Sequence, residues 1–416
     1  LRSDEEAASV LRMSPVEPLE LDVLEPTVDA RTEHFVRAHE AFRDALTGGT
    51  LSGGNIESPS ALRDEALADP LLLHMAALLS AQGREVVADE TALFDAVLDS
   101  ERSYWARELS RLERPPSLDT VDEAAAVLTL LQGTVDRPSL KALVGQVLER
   151  AARDASPADA ITDLLHALYG ADDASTRPVQ PDRLGEFLVL ENVKRAPSLL
   201  DTALDLPEEN PAREAARVAV LTVLTRLAGW RQEMPPSADT GQFSELEQPL
   251  KTLLERRLYE LIEPAITVAQ ETGDPIGKIV TEALKASEEA TDIAELIVDS
   301  LPKESLALRE LAELATRLVV DRPLPESPSI EQRSRRARHL NNHSIRLAGL
   351  GRREEALAAS EEAVAIRREL AAARPDAFRP DLAMSLDHHS ICLEGLGRRE
   401  EALAASEEAV AIRREL

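Results

Sequence analysis

Eight histidines and one cysteine, Cys392, are the side chains of this chain best suited to metal or nucleophilic chemistry. His34 and His39 are five apart, whereas the zinc pattern H-E-x-x-H needs i, i+4 spacing to set both imidazoles on one helix face. His339 and His343 do have that spacing, and His388 and His389 form a further pair downstream. No cysteine cluster or acidic ligand accompanies them at a matching interval, so histidines packed at a helix interface are a stronger reading than a metal site. If they are buried and neutral there, acid should loosen the packing as they charge. Carboxylate pairs such as Glu5-Glu6 and Glu208-Glu209, and the Arg43-Asp44 pair, read as solvated faces in so acidic a chain. No serine sits in a G-x-S-x-G turn, and no Ser-His-Asp arrangement can be argued. The glycine-rich stretch from Gly48 to Asn55 lacks a following Lys-Ser/Thr, no G-x-x-x-x-G-K-[ST] occurs, and no G-x-G-x-x-G follows a strand. The residues therefore offer neither a catalytic constellation nor a phosphate-cradling loop.

Charge narrows the partners. There are 76 acidic and 47 basic side chains in 416 residues, a net charge of −29, which disfavours nucleic acid as the main partner. Hydrophobic residues make up 44%, enough for two or more packed domains, and no run approaches the eighteen or so apolar residues of a membrane span. With one cysteine and no signal-peptide pattern, a cytoplasmic setting is expected. The acidity is uneven. Residues 331–416 hold fifteen arginines, no lysine and fifteen acids, which leaves 32 basic and 61 acidic residues in 1–330. Such asymmetry points to modules with different tasks. Only six lysines occur among many Ala, Leu, Arg and Glu, a usage that fits a GC-rich bacterial genome.

The elements that position these residues are helices. Residues 27–47 carry Phe35, Val36, Phe42 and Leu46 at helical spacing; 61–81 read as an apolar helix pair around Asp69-Pro70-Leu71; 90–112 form another, broken by Pro115-Pro116. Three helices follow near 121–132, 138–153 and 157–169, then a polar stretch from Ala171 to Gln180, the make-up of a small winged helix. Its second helix offers Lys141, Arg150 and Arg153 but also Glu149 and Asp154, so protein packing is favoured over DNA reading. Beyond the amphipathic run from Leu199 to Trp230, helices are expected at 244–262, 265–271, 275–287, 290–299 and 303–320, an irregular α-solenoid. Three prolines between Arg322 and Ser329 close it, where the charge also changes.

The most specific signal is a repeat. Residues 349–370 recur letter for letter at 395–416, a shift of 46. Leu340, Leu347, Gly351, Ala356 and Ala363 thereby match Leu386, Leu393, Gly397, Ala402 and Ala409: a helix, a glycine turn, then a helix with a small-residue stripe. This resembles the tetratricopeptide repeat in a longer form, with Ala371 to Pro380 as linker. The resemblance implies a concave face that binds a protein or peptide, lined by the first helix of each unit. Arg338, Asn341, Asn342 and Ile345, with Asp387, His388 and Ile391, are the candidates; a merely solvated or interhelical role for them stays open. Leu416 falls inside a repeat without a stop signal, and Ala8 to Pro15 reads as a strand with nothing before it to pair with, so the chain reads as an internal piece of a longer protein.

A second resemblance rests on the order of short motifs: Leu11-Arg12-Met13-Ser14-Pro15, Asp69-Pro70-Leu71, Ser103-Tyr104-Trp105, then Gln180-Pro181-Asp182-Arg183-Leu184-Gly185-Glu186, then helical repeats. Over residues 8–190 this is similar to the signal-transduction ATPases with numerous domains, which include NB-ARC and NACHT proteins. The resemblance implies a helical domain whose G-x-P proline lies against adenine, at Pro70, and a winged helix whose His-Asp motif senses the bound diphosphate, at Pro181-Asp182. Ala68 or Asp69 stands in place of the motif's glycine, and Pro181 has no ring nitrogen to offer a phosphate.

The expected fold is all-α: the end of a nucleotide domain and a helical domain over 1–115, a winged-helix-like domain over 116–195, an irregular helical spacer over 196–325 and tetratricopeptide repeats over 326–416. The expected function is the regulatory and interaction part of an ATP-dependent signalling switch, with self-association of the nucleotide domains on activation and no cofactor in the chain itself. A non-enzymatic repeat adaptor and a winged-helix transcription regulator are the alternatives.

Overall fold

Residues 27–47, 59–113, 115–133, 135–170, 175–180, 182–206, 212–233, 240–302 and 305–415 are described by a computed structural model of the chain. The fold is all-α and solenoid-like, with seventeen α-helices and one two-stranded ribbon among those residues. The strand expected at Ala8 to Pro15, the loop from Gly48 to Asn55 and Pro181 lie outside them. The chain falls into two compact units, Leu1–Val223 and Leu224–Leu416.

In the first unit α1 spans Val28–Thr47, α2 Pro70–Ala81, α3 Glu90–Leu109, α4 Leu118–Leu130, α5 Arg137–Arg150, α6 Ala158–Tyr169, α7 Asp182–Arg195 and α8 Leu199–Leu204. Local chemistry sets the starts. Asp69 accepts from Leu71 N at 2.7 Å and is followed by Pro70 at the first position of α2, where a missing N–H costs nothing. Asp89, Ser117 and Asp136 cap α3, α4 and α5 in the same manner. The first half of the expected 61–81 helix pair instead forms two 3-10 turns, Ser60–Arg63 and Glu65–Ala68, because Asp64 caps the second and ends the first. The ribbon pairs β1 (Val135–Asp136) with β2 (Ser175–Thr176) antiparallel, Val135 opposite Thr176.

The core of this unit is α4, buried at every position from Thr120 to Leu130. Leu98, Trp105, Leu128 and Leu188 are fully or almost fully covered, and the Phe94 and Phe187 rings stand 5.4 Å apart. Each such side chain contributes about 2 kcal/mol by leaving water. Two acids are buried with them and both are paired: Asp122 with Arg102 at 2.8 Å and Arg195 at 3.3 Å, Glu123 with Arg153 at 2.6 Å. A buried carboxylate without a partner would be strongly destabilising, so these arginines fix how α3, α7 and the loop after α5 meet α4. Gly185 lets α7 come this close, since a Cβ there would stand 2.6 Å from the Val179 carbonyl oxygen and 2.9 Å from Thr129 Cγ2.

Helix α9, Arg213–Glu233, contains the boundary between the units. The second unit continues with α10 (Thr240–Thr272), α11 (Ile276–Ala286), α12 (Ala290–Ile297), α13 (Arg309–Asp321), α14 (Ile330–Gly349), α15 (Arg353–Ala373), α16 (Pro375–Gly395) and α17 (Arg399–Arg414). The break expected between 262 and 265 is absent. Helix α10 runs through Pro264 and departs from helical geometry at Arg257 instead (φ −129°, ψ 28°), seven residues upstream of the proline.

In the repeats, α14–α15 and α16–α17 are helix hairpins. Gly351 and Gly397 both take φ +79°, a left-handed conformation that any side chain would strain. The matched residues Leu340, Leu347, Ala356 and Ala363, and Leu386, Leu393, Ala402 and Ala409, are all buried in one cluster. No described helix is long and apolar enough to cross a membrane.

Close backbone approach is also found at Gly277, where a Cβ would stand 2.1 Å from the Ala307 carbonyl oxygen. Gly277→Ala should therefore lower stability by about 1–3 kcal/mol in urea unfolding, as overpacking does. Gly145→Ala, with nothing within 4 Å of the added carbon, should be neutral or stabilising.

Candidate partner-binding face

Helix α14 shows one exposed stripe. Arg338, Asn342, Ile345 and Gly349 follow at i, i+4, i+7 and i+11, and the shift of 46 carries them onto Met384, His388, Ile391 and Gly395 of α16. Ile345, Met384 and Ile391 are 41%, 45% and 63% exposed, so three large apolar side chains stand in water on this face. Arg338 is exposed and pairs with Asp299 at 2.8 Å, while Asn342 and His388 are partly buried.

Two of the candidates turn elsewhere. Asn341 is buried, a rotation of about 100° from Asn342, and donates from Nδ2 to Ser385 Oγ at 2.6 Å, tying α14 to α16. Asp387 is partly buried and accepts from Arg413 of α17. Met384 belongs to the stripe and was not among the expected residues. Its signal was the repeat register itself, since it occupies the position of Arg338.

The histidines serve the stack. His343 Nδ1 lies 3.0 Å from Thr316 Oγ1 of α13, and His389 Nδ1 lies 2.9 Å from Ser360 Oγ of α15. Each first helix is thus pinned to the helix before it by the same imidazole–hydroxyl pair. His339 is buried with Nδ1 3.9 Å from Asp299. Among the described residues no three His, Cys, Asp or Glu side chains gather as a metal site.

In the first unit the two segments assigned by resemblance do meet. Pro70, partly buried, opens α2, and Asp182, exposed, lies in the first turn of α7. The next residue, Arg183, pairs with Asp69 at 3.0 Å and also with Glu90 in the first turn of α3. One guanidinium therefore draws three helix N-termini together. The guanidinium there is held by two carboxylates, those of Asp69 and Glu90. Three turns further along α3, burial raises the Glu101 carboxyl to about 7, opposed by a hydrogen bond from Tyr169.

No protein-family model and no curated protein matches the chain.

Burial holds His343 and His389 below the ordinary histidine value. Around His343 stand Glu313, Asp321, Arg317 and Arg352; around His389 stand Glu361, Arg368, Arg398 and Glu401, charges of both signs that leave burial dominant. An unfolded repeat then binds more protons than a folded one below about pH 6.5, so stability falls as pH drops through that value. Thermal melts read at 222 nm between pH 7.5 and 5.5 should show this decline, and a chain with His343→Gln and His389→Gln should show a flatter one.

Proposed function

We propose that the chain is the regulatory and protein-interaction part of an ATP-dependent signalling switch. A protein or peptide partner lies along the stripe of α14 and α16, read as the first helices of tetratricopeptide repeats. The three helices α4, α5 and α6 with the β1–β2 ribbon and α7, read as a winged helix, hold the resting state through Arg183. Its setting is the cytoplasm, and nucleic acid is not the partner. ATP or ADP belongs to a nucleotide domain of the family's kind, a reading supported by Arg183 being held already by Asp69 and Glu90.

The observation that carries this reading is the register of Ile345, Met384 and Ile391 on one exposed face. Isolated exposed apolar residues are ordinary, but Ile345 and Ile391 at equivalent positions of the repeat, with Met384 two turns before Ile391, form the kind of surface that a partner covers. The same carboxylate-lined cluster at Arg183 favours a second reading, an adaptor in which the first unit has no nucleotide-dependent role.

Peptides selected from a random dodecapeptide library should bind the full chain, and Ile391→Asp should weaken them at least tenfold with the melting curve unchanged. If nothing is selected, or the selected peptides ignore Ile391→Asp, the interaction reading falls. For the switch, Arg183→Ala should speed amide exchange in the first turns of α2, α3 and α7. Unchanged exchange there would leave the adaptor as the better account.

A further inference from the structure

Arginine dominates the cations of α14 to α17, and most of these guanidinia have a carboxylate. Arg338 pairs with Asp299 at 2.8 Å, Arg335 with Glu331 at 3.0 Å, Arg352 with Glu313 at 2.8 Å and Arg367 with Asp381 at 2.8 Å. Arg353, Arg374, Arg399 and Arg414 have no carboxylate partner among the described residues but are exposed, where water serves them. Arg346 differs from both groups. It is partly buried, and among the described residues no carboxylate lies within ion-pair distance of it. Burial alone acts on its pKa, pulling it down, with no neighbouring charge to oppose that.

Its place on the helix is informative. Arg346 follows Ile345 by one residue and Asn342 by one turn, so it borders the exposed stripe. The equivalent position in the next repeat is Cys392, a small buried side chain with Ser344 and Ser360 as neighbours. An arginine is far longer than a cysteine, and Arg346, only partly buried beside the stripe, has a stem long enough to carry its guanidinium toward solvent there. A cation stripped of part of its water and given no counter-charge is destabilising, and a planar bidentate carboxylate is the group that best restores what it has lost.

We propose that the segment bound on this face is an acidic–aliphatic peptide, with an Asp or Glu side chain received by Arg346 beside aliphatic side chains that cover Ile345, Met384 and Ile391. This rests on the peptide-binding reading of the stripe and adds the chemical class of the partner. Charge complementarity selects it: Arg338 is already satisfied by Asp299 and Asp387 by Arg413, which leaves Arg346 as the partly buried charge to be matched.

The probe is the random dodecapeptide library, selected against the full chain. Selected peptides should combine Asp or Glu with Leu, Ile, Val or Met. Replacing the critical acid by its amide should weaken binding at least tenfold on the native chain and have little effect on an Arg346→Gln chain. Arg346→Lys, which keeps the charge but not the fork, should retain part of the affinity, and this milder variant carries the test should Arg346→Gln fail to fold by circular dichroism. Selected peptides without acids, or an acid whose replacement costs as much on Arg346→Gln as on the native chain, would overturn the proposal. Binding that needs Ile391 but ignores Arg346 ends this inference alone and leaves the interaction reading standing, whereas selection of nothing ends both.

Discussion

Everything in the repeats depends on how closely two helices approach along the alanines. Ala356, Ala359 and Ala363 of α15 are buried in the shared cluster, and Ala402, Ala405 and Ala409 of α17 repeat them. Alanine costs no side-chain entropy and keeps the backbones near, so the leucines of the first helix, Leu340 and Leu347, can close over the gap. This close fit fixes the rotation of α14 and α16 about their own axes. The rotation in turn decides which residues are left in water, and only for that reason do Ile345 and Ile391 share a face.

The same rotation explains what the sequence made legible and what it did not. A repeat of 22 identical residues names its own elements, and the buried positions follow by register without any energy argument. The exposed face is less readable because neighbouring helix positions differ by about 100°. Asn341 and Asn342 look alike as letters, yet one binds Ser385 inside the stack and the other borders the stripe. Met384 was hidden because methionine reads as core, and only its match to Arg338 marks it as exposed. In the first unit, α1, α3 and the three helices α4, α5 and α6 lie close to where periodicity placed them. The 3-10 turns before α2 depend on the Asp64 cap, which periodicity does not encode, and periodicity does not mark the bend at Arg257 either.

The charge of −29 is likewise a statement about burial as much as solubility. In the first unit Asp122 and Glu123 are drawn into the core and matched by arginines from other elements. Arg183 does the same for Asp69 and Glu90. An excess of acid over base means that each basic residue has several possible partners, and these arginines are committed to holding helices together. That commitment also brings the Pro70 and Asp182 segments together.

The proline-rich stretch and the change of charge near residue 326 divide the sequence more sharply than they divide the packing. His343 meets Thr316 of α13 as His389 meets Ser360 of α15. Arg352, just before α15, also reaches back to Glu313 of α13 at 2.8 Å, and through the two histidines α13 stands to α14 as α15 stands to α16. Aligned on Thr316 and Ser360, α13 has Ala312, Ala315 and Val320 at the places of Ala356, Ala359 and Val364, but Glu313 stands where α15 has Leu357, and so short a match does not reveal the equivalence by itself. The irregular helices therefore supply the first covered face of the regular repeats. Arg346, at the position where the following repeat has Cys392, lies at the junction between the two. A face that begins at such a junction can carry a charge that the interior of a uniform array would exclude.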